Sequence, residues 1–155
     1  DLITQWVTGG QYGVEPVGWD LYGGVGALVP ALHHVLGNNS HIHSVESARI
    51  MATSGQVTFG DDVHFHIGLV GNLVDTLPQP DVVVLDPPRV GAGADVVTRI
   101  AARKPQRVIH IGCDPATFAT DIRAWSQAGY HLSDIVVVNA FPGTHHFETL
   151  GLLQP

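Results

Sequence analysis

The chain's one cysteine, Cys113, stands in the run Ile109-His110-Ile111-Gly112-Cys113-Asp114-Pro115, where apolar residues give way to a helix-start signal. A thiol there can pack as a small buried hydrophobe or react as a nucleophile. A helix N-terminus lowers a thiol's pKa and the charge of Asp114 raises it, so the sequence leaves both readings open. Asp86 ends a second apolar run, Val82-Val83-Val84-Leu85, and is followed by Pro87-Pro88-Arg89. Its carboxylate can cap a turn, or it can hold an N–H group of a ligand, because it only accepts hydrogen bonds. Arg89, beyond the two prolines, would steady an oxygen that gains negative charge.

A glycine turn, Gly23-Gly24-Val25-Gly26, lies earlier, after Trp19-Asp20-Leu21-Tyr22. Glycines between a strand and a helix let a ligand approach the backbone, although such a turn can also be purely structural. Glu46 closes the next apolar run about 20 residues after Gly26, where a carboxylate that accepts ribose hydroxyls is expected. Together with Asp20, Gly24 and Gly26 it points to a nucleoside-type cofactor. The third glycine of a dinucleotide fingerprint would fall at Val29. Its absence tilts the choice from NAD toward S-adenosylmethionine, which has no pyrophosphate to seat on the helix.

Positioning these groups takes strands that end together. The patterning predicts strands at 17–22, 42–46, 63–67, 82–86, 107–112, 133–140 and 147–153, with helices at 27–36, 47–53, 93–103 and 115–128. This alternation implies an α/β sheet covered on both faces, with 82–85 as a buried parallel strand. Asp114, Pro115 and Gly129 mark the start and end of the last helix. Residues 141–146 are too few for a parallel crossover, so the final two strands should pair antiparallel. That pairing brings Glu148 to the sheet edge that holds Cys113 and Asp86, the edge where open α/β sheets bind ligands.

With 155 residues, 45% of them hydrophobic, the chain suits one domain with a substantial core. No run reaches the roughly 18 to 20 apolar residues of a membrane span, and no leader pattern opens the chain, so no membrane contact and a cytoplasmic location are expected. The net charge of −7, with only 7 Lys and Arg, makes the chain a poor binder of polyanions on its own. His41/His43 and His64/His66 alternate along strands and invite a metal, but no third ligand is evident and none is expected.

Taken together, the segments at 21–26, 85–93, 112–121 and 141–149 resemble the RNA uracil-5 methyltransferases, which make 5-methyluridine in transfer or ribosomal RNA. The resemblance covers residues 17–154. It implies a Rossmann-like class I methyltransferase fold, with a mostly parallel seven-stranded sheet and an antiparallel last strand. It also implies S-adenosylmethionine as methyl donor and an RNA uridine as acceptor. Position by position, the resemblance makes Cys113 the nucleophile and Glu148 the general base. Tyr22, Glu46 and Asp86 fall in the cofactor pocket, and Asp86 also falls beside the target base.

Ala27 stands where the family often has an asparagine facing the cofactor, and Gly68-Leu69-Val70-Gly71 where an acid or amide often meets adenine. Phe141, Thr144, His145 and His146 are candidate contacts to the base or to phosphate, or the members of a packed hairpin. Family members usually carry an N-terminal RNA-binding module, so the chain is expected to be the C-terminal catalytic part of a longer protein, with most RNA contacts outside it. Two other readings stay open. The acidic charge fits a small-molecule methyltransferase, and Ala27 and Leu69 fit a noncatalytic homologue that binds RNA or a partner.

Overall fold

The apolar run at 82–85 forms β4 (Val82–Leu85), and all of its side chains are fully buried. Burial on both faces requires a central place in the sheet, and β4 lies between β1 (Val17–Leu21) and β5 (Arg107–Gly112). In this computed structural model, which describes residues 2–139 and 147–155, the remaining strands are β2 (His41–Glu46), β3 (Val63–Ile67), β6 (His131–Val138) and β7 (Glu148–Gln154). The seven-stranded sheet has the order β3-β2-β1-β4-β5-β7-β6. Neighbours from β3 to β5 pair parallel, whereas β7 runs antiparallel to both β5 and β6. The α/β sheet with an antiparallel last strand is therefore as the sequence predicts. Strand 6 begins and ends two residues earlier than expected.

Helices cover both faces. α1 (Leu2–Thr8), α2 (Val29–Leu36) and α3 (Arg49–Phe59) lie on one side; α4 (Val70–Leu73), α5 (Ala94–Ala102) and α6 (Pro115–Gln127) lie on the other. The first face buries Trp6, Val7, Leu32 and Ile42 against Val82, Val84 and Ile109. The second buries Trp19, Leu21, Val83, Leu85, Ile100 and Trp125. Each fully buried side chain of this kind contributes about 1.5–3 kcal/mol, so the two half-cores together hold the strand ends in fixed register. No helix among the described residues is long and apolar enough to cross a membrane.

Three helical details differ from expectation. α1 has no sequence signal beyond Ile3, Trp6 and Val7 on one stripe; tertiary contact holds it, with Trp6 Nε1 donating to Asp134 Oδ2 at 3.2 Å. α4 is a single turn after Gly68. α3 runs to Phe59 rather than ending near 53, because Gly55 packs directly under Phe65: a Cβ there would come within 2.3 Å of that ring. Packing thus overrides the poor helix propensity of Gly55, Val57 and Thr58.

Candidate functional site

Pleating sends alternate residues to opposite faces of the sheet. Val84, Ile109, Ile111 and Leu152 are buried on the face of α1 and α2. The same alternation gives that face Asp20, Ser44 and Glu46, and, one step past the strands or at their edge, Asp86, Cys113 and Glu148. Ser44 Oγ donates to Asp20 Oδ2 at 3.2 Å, as this placement requires.

β5 and β7 bring the chain neighbours of the cysteine and the late carboxylate together. Their antiparallel register pairs Gly112 with Thr149. Cys113 follows Gly112 where β5 ends, and Glu148 precedes Thr149 at the start of β7, so the two residues flank the last pair of the ladder. Both are half-buried. Glu148 also pairs with Val138 of β6, which fixes it from its other side.

Helix α6 starts immediately after Cys113, and its cap is the one the sequence marks. Asp114 Oδ1 accepts from Ala116 N and Thr117 N, each at 3.0 Å. The bond from Thr117 N, with that from Ala116 N and the nearby charge of Arg89, holds the Asp114 carboxyl below its ordinary pKa. Gly129, at φ +91, follows the last turn.

Asp86 lies one residue past β4, with its N–H donating to Leu21 O at 3.1 Å. The residue is exposed, yet protein packed around its carboxyl raises its pKa. Arg89 is drawn toward α6, since Thr117 Oγ1 donates to Arg89 O at 2.9 Å. The Asp-Pro-Pro-Arg turn is thereby clipped to the helix that follows Cys113.

The glycine turn closes over β1 and β2. Gly24 N donates to Glu46 Oε2 at 3.0 Å, and Ala48 N donates to Glu46 Oε1 at 2.6 Å. Glu46 therefore ties the turn to the start of α3, and its carboxylate has acceptor capacity left, since it offers about four lone-pair sites. A side chain at Gly23 is excluded, because a Cβ would lie 2.4 Å from Asp20 Oδ2. Gly26 adopts φ +85 and packs against Phe59 and Phe65, a conformation that favours glycine. Ala27 is exposed beside it.

Tyr22 behaves differently from its neighbours. Its φ of 61 turns the side chain to the opposite face, where it packs against the cluster containing Trp19 and Leu85. Burial there, with the charge of Asp121, raises its hydroxyl pKa. Its backbone still borders the turn. Leu69, 62% exposed after β3, presents an apolar surface at the rim.

Asp20 is 1% exposed, and burial pushes its carboxyl up to about 7, against the hydrogen bond from Ser44 and with the charges of Asp86 and Glu46 adding to the rise. A carboxyl raised by folding makes the folded state bind a proton that the unfolded chain has lost. Its stabilising effect is complete below about pH 4 and is lost as pH rises to about 7. Asp20→Asn should therefore raise the thermal midpoint of the ligand-free chain at pH 8 and lose that advantage near pH 4. Equal differences at the two pH values in a melting series would contradict this reading.

Phe141, Thr144, His145 and His146 lie outside the described residues. At the far end of the sheet, His43 stacks on His64 with centroids 4.9 Å apart, and His43 Nδ1 lies 3.0 Å from His66 Nε2. Among the described residues no group of three metal-ligating side chains converges. Sequence reasoning passed over Ser44, the Thr117 clip and a buried group, His110, Asp121 and Trp125. The available signal was polarity inside apolar runs, as in Val108-Ile109-His110-Ile111.

The tRNA (uracil-5-)-methyltransferase family model matches residues 38–155. The chain is 56% identical over 138 residues to an uncharacterised RNA methyltransferase of Corynebacterium efficiens, covering 88% of this chain and 32% of that protein. A second such protein, from Bifidobacterium longum, is 38% identical over 150 residues, covering 92% and 34%. The chain thus spans about a third of the length of these relatives. The fold matches the Pyrococcus abyssi tRNA (uracil-54, C5)-methyltransferase, solved in complex with S-adenosyl-L-homocysteine, with a TM-score of 0.76 and 25% identity over 98% of this chain and 37% of that one. Aeropyrum pernix fibrillarin shares the fold alone, at TM-score 0.73 and 13% identity over 97% of this chain and 73% of that one. The rim of strand ends built around Cys113, Glu148 and Asp86 thus sits in a sequence and fold that agree: this chain belongs to the tRNA (uracil-5-)-methyltransferase family.

Proposed function

We propose that this chain is the catalytic part of an S-adenosylmethionine-dependent enzyme that methylates carbon 5 of a uridine in transfer or ribosomal RNA. The observation that carries the reading is the β5–β7 pairing, whose last pair, Gly112 with Thr149, lies next in the chain to Cys113 and to Glu148. Family membership and the Pyrococcus neighbour's bound S-adenosyl-L-homocysteine support the choice of cofactor.

The residues present fit that cofactor. Gly24, where a Cβ would meet nothing nearer than Met51 Cε at 3.8 Å, leaves the turn open, and the acceptors of Glu46 suit a ribose laid over it. The acidic group of Asp20, Asp86 and Glu46 suits its ammonium and sulfonium charges, and Leu69 offers apolar cover for a purine. When bound, S-adenosylmethionine supplies an electrophilic methyl group.

Carbon 5 of uracil is a weak nucleophile, and covalent catalysis activates it. The Cys113 thiolate adds to carbon 6, forming the S–C6 bond and moving the ring's π electrons onto the carbon 4 oxygen as an enolate. Asp86 accepts from the ring N–H and Arg89 steadies the enolate charge. Carbon 5 then takes the methyl group as the donor's S–CH3 bond breaks. Glu148 removes the carbon 5 proton, the electron pair re-forms the C5=C6 bond, and the S–C6 bond breaks to return the thiolate. The base must leave any helix to reach this rim, which favours loops or flipped nucleotides. With a net charge of −7, the chain leaves most of the RNA affinity to segments outside it.

Digestion of unmodified transfer and ribosomal RNA after incubation with the full-length protein and S-adenosylmethionine should yield 5-methyluridine by mass spectrometry. Methylation at another atom, or of free nucleosides only, would contradict the assignment.

A further inference from the structure

Beneath the rim, a buried polar chain links β5 to the turn after Asp86. Trp125 Nε1 donates to His110 Nδ1 at 3.1 Å, and both side chains are fully buried. An indole N–H only donates, so Nδ1 is the bare nitrogen and Nε2 carries the ring proton. Nε2 lies 3.3 Å from Asp121 Oδ2, within ion-pair distance but outside hydrogen-bond geometry, and it makes no hydrogen bond among the described residues. Phe118 closes the ring's side, edge-on at 5.6 Å.

Asp121 passes the constraint on. Its Oδ2 accepts from Ala92 N at 2.7 Å and its Oδ1 from Gly93 N at 3.0 Å. Gly91 lies so close that a Cβ would come within 2.7 Å of Oδ2. Burial works against the Asp121 charge, but the His110 contact and the two backbone donors hold its carboxyl below the ordinary range. Gly91 N donates to Pro88 O at 2.8 Å, which carries the constraint into the Pro87-Pro88-Arg89 turn. His110 is also the β5 partner of Leu85, the residue before Asp86.

We propose that His110 is a positioning residue: as the Nε2–H tautomer held by Trp125, it orients Asp121, which fixes the backbone at 91–93 and so sets Asp86 and Arg89 relative to Cys113. The inference deepens the proposed reaction and rests on it. Leucine in place of the imidazole leaves the buried Trp125 N–H and Asp121 without it, which costs stability whatever the role. A positioning role is therefore read from the comparison with glutamine, which restores an N–H facing Asp121, in the folded fraction of each variant.

The test compares the native protein with His110→Leu and His110→Gln, the second keeping an N–H within reach of Asp121. The readouts are the rate of covalent capture of RNA carrying 5-fluorouridine, kcat, and the KM for S-adenosylmethionine. Leucine should lower the capture rate and kcat by about 100-fold, the effect of misplacing a reacting group by about 1 Å, with the KM unchanged. Glutamine should recover most of that loss. Equal rates for leucine and native protein, or equal losses for leucine and glutamine, would overturn the proposal. Independently of any variant, nitrogen NMR of the native protein should place the ring proton on Nε2; a proton on Nδ1 would also overturn it. Native protein that captures no RNA would instead overturn the reaction, and the positioning role with it.

Discussion

Cys113→Ala should abolish covalent capture of 5-fluorouridine RNA and lower methylation by more than about 10⁴-fold, the scale seen when a nucleophile is removed from a catalytic group. Cys113 is a half-buried cysteine outside any disulfide among the described residues, and the adjoining α6 cap belongs to Asp114, which is unchanged. Folding and S-adenosylmethionine affinity should therefore persist. Melting curves and calorimetry check those two points, and gel-shift capture under denaturing conditions checks the first. Undiminished methylation by the variant would remove the covalent route altogether.

Glu148→Gln should separate the two halves of the reaction. The thiol still adds and carbon 5 still accepts the methyl group, but no carboxylate takes the proton, so the methylated RNA adduct accumulates on the protein. Turnover should fall by about 10²- to 10⁴-fold, the usual contribution of a general base. Glutamine preserves the volume between Val138 and the Cys113 position, so the β6–β7 pairing survives. Time-resolved mass spectrometry of the intact adduct checks the prediction, and turnover at the native rate without adduct would contradict the base assignment.

Much of this rim is legible in the sequence because its signals are local. The uninterrupted run Val82–Leu85 demands burial on both faces, and the structure gives it the centre of the sheet. Asp114 and Pro115 announce α6, and the short connection at 141–146 requires the antiparallel pair that carries Glu148 back to Cys113. Tyr22 was not legible in the same way: its positive φ, where β1 gives way to the glycine turn, sends the ring to the face opposite its expected neighbours. The end of α3 is not legible either, because Gly55 weakens a helix in isolation, whereas its contact with Phe65 is a long-range fact. The His110, Asp121 and Trp125 chain was missed for the same reason. Each member reads alone as an ordinary polar or aromatic residue, and only the packing of α6 on β5 brings them into one chain.

The central claim is a sulfur–carbon bond at one residue, and peptide mapping of the captured complex tests it most directly. The native protein, incubated with S-adenosylmethionine and RNA carrying 5-fluorouridine, should yield a tryptic peptide spanning residues 108–123 with a methylated fluoronucleotide on Cys113. An adduct on any other residue, or methylated product with no adduct at any time, would contradict the account.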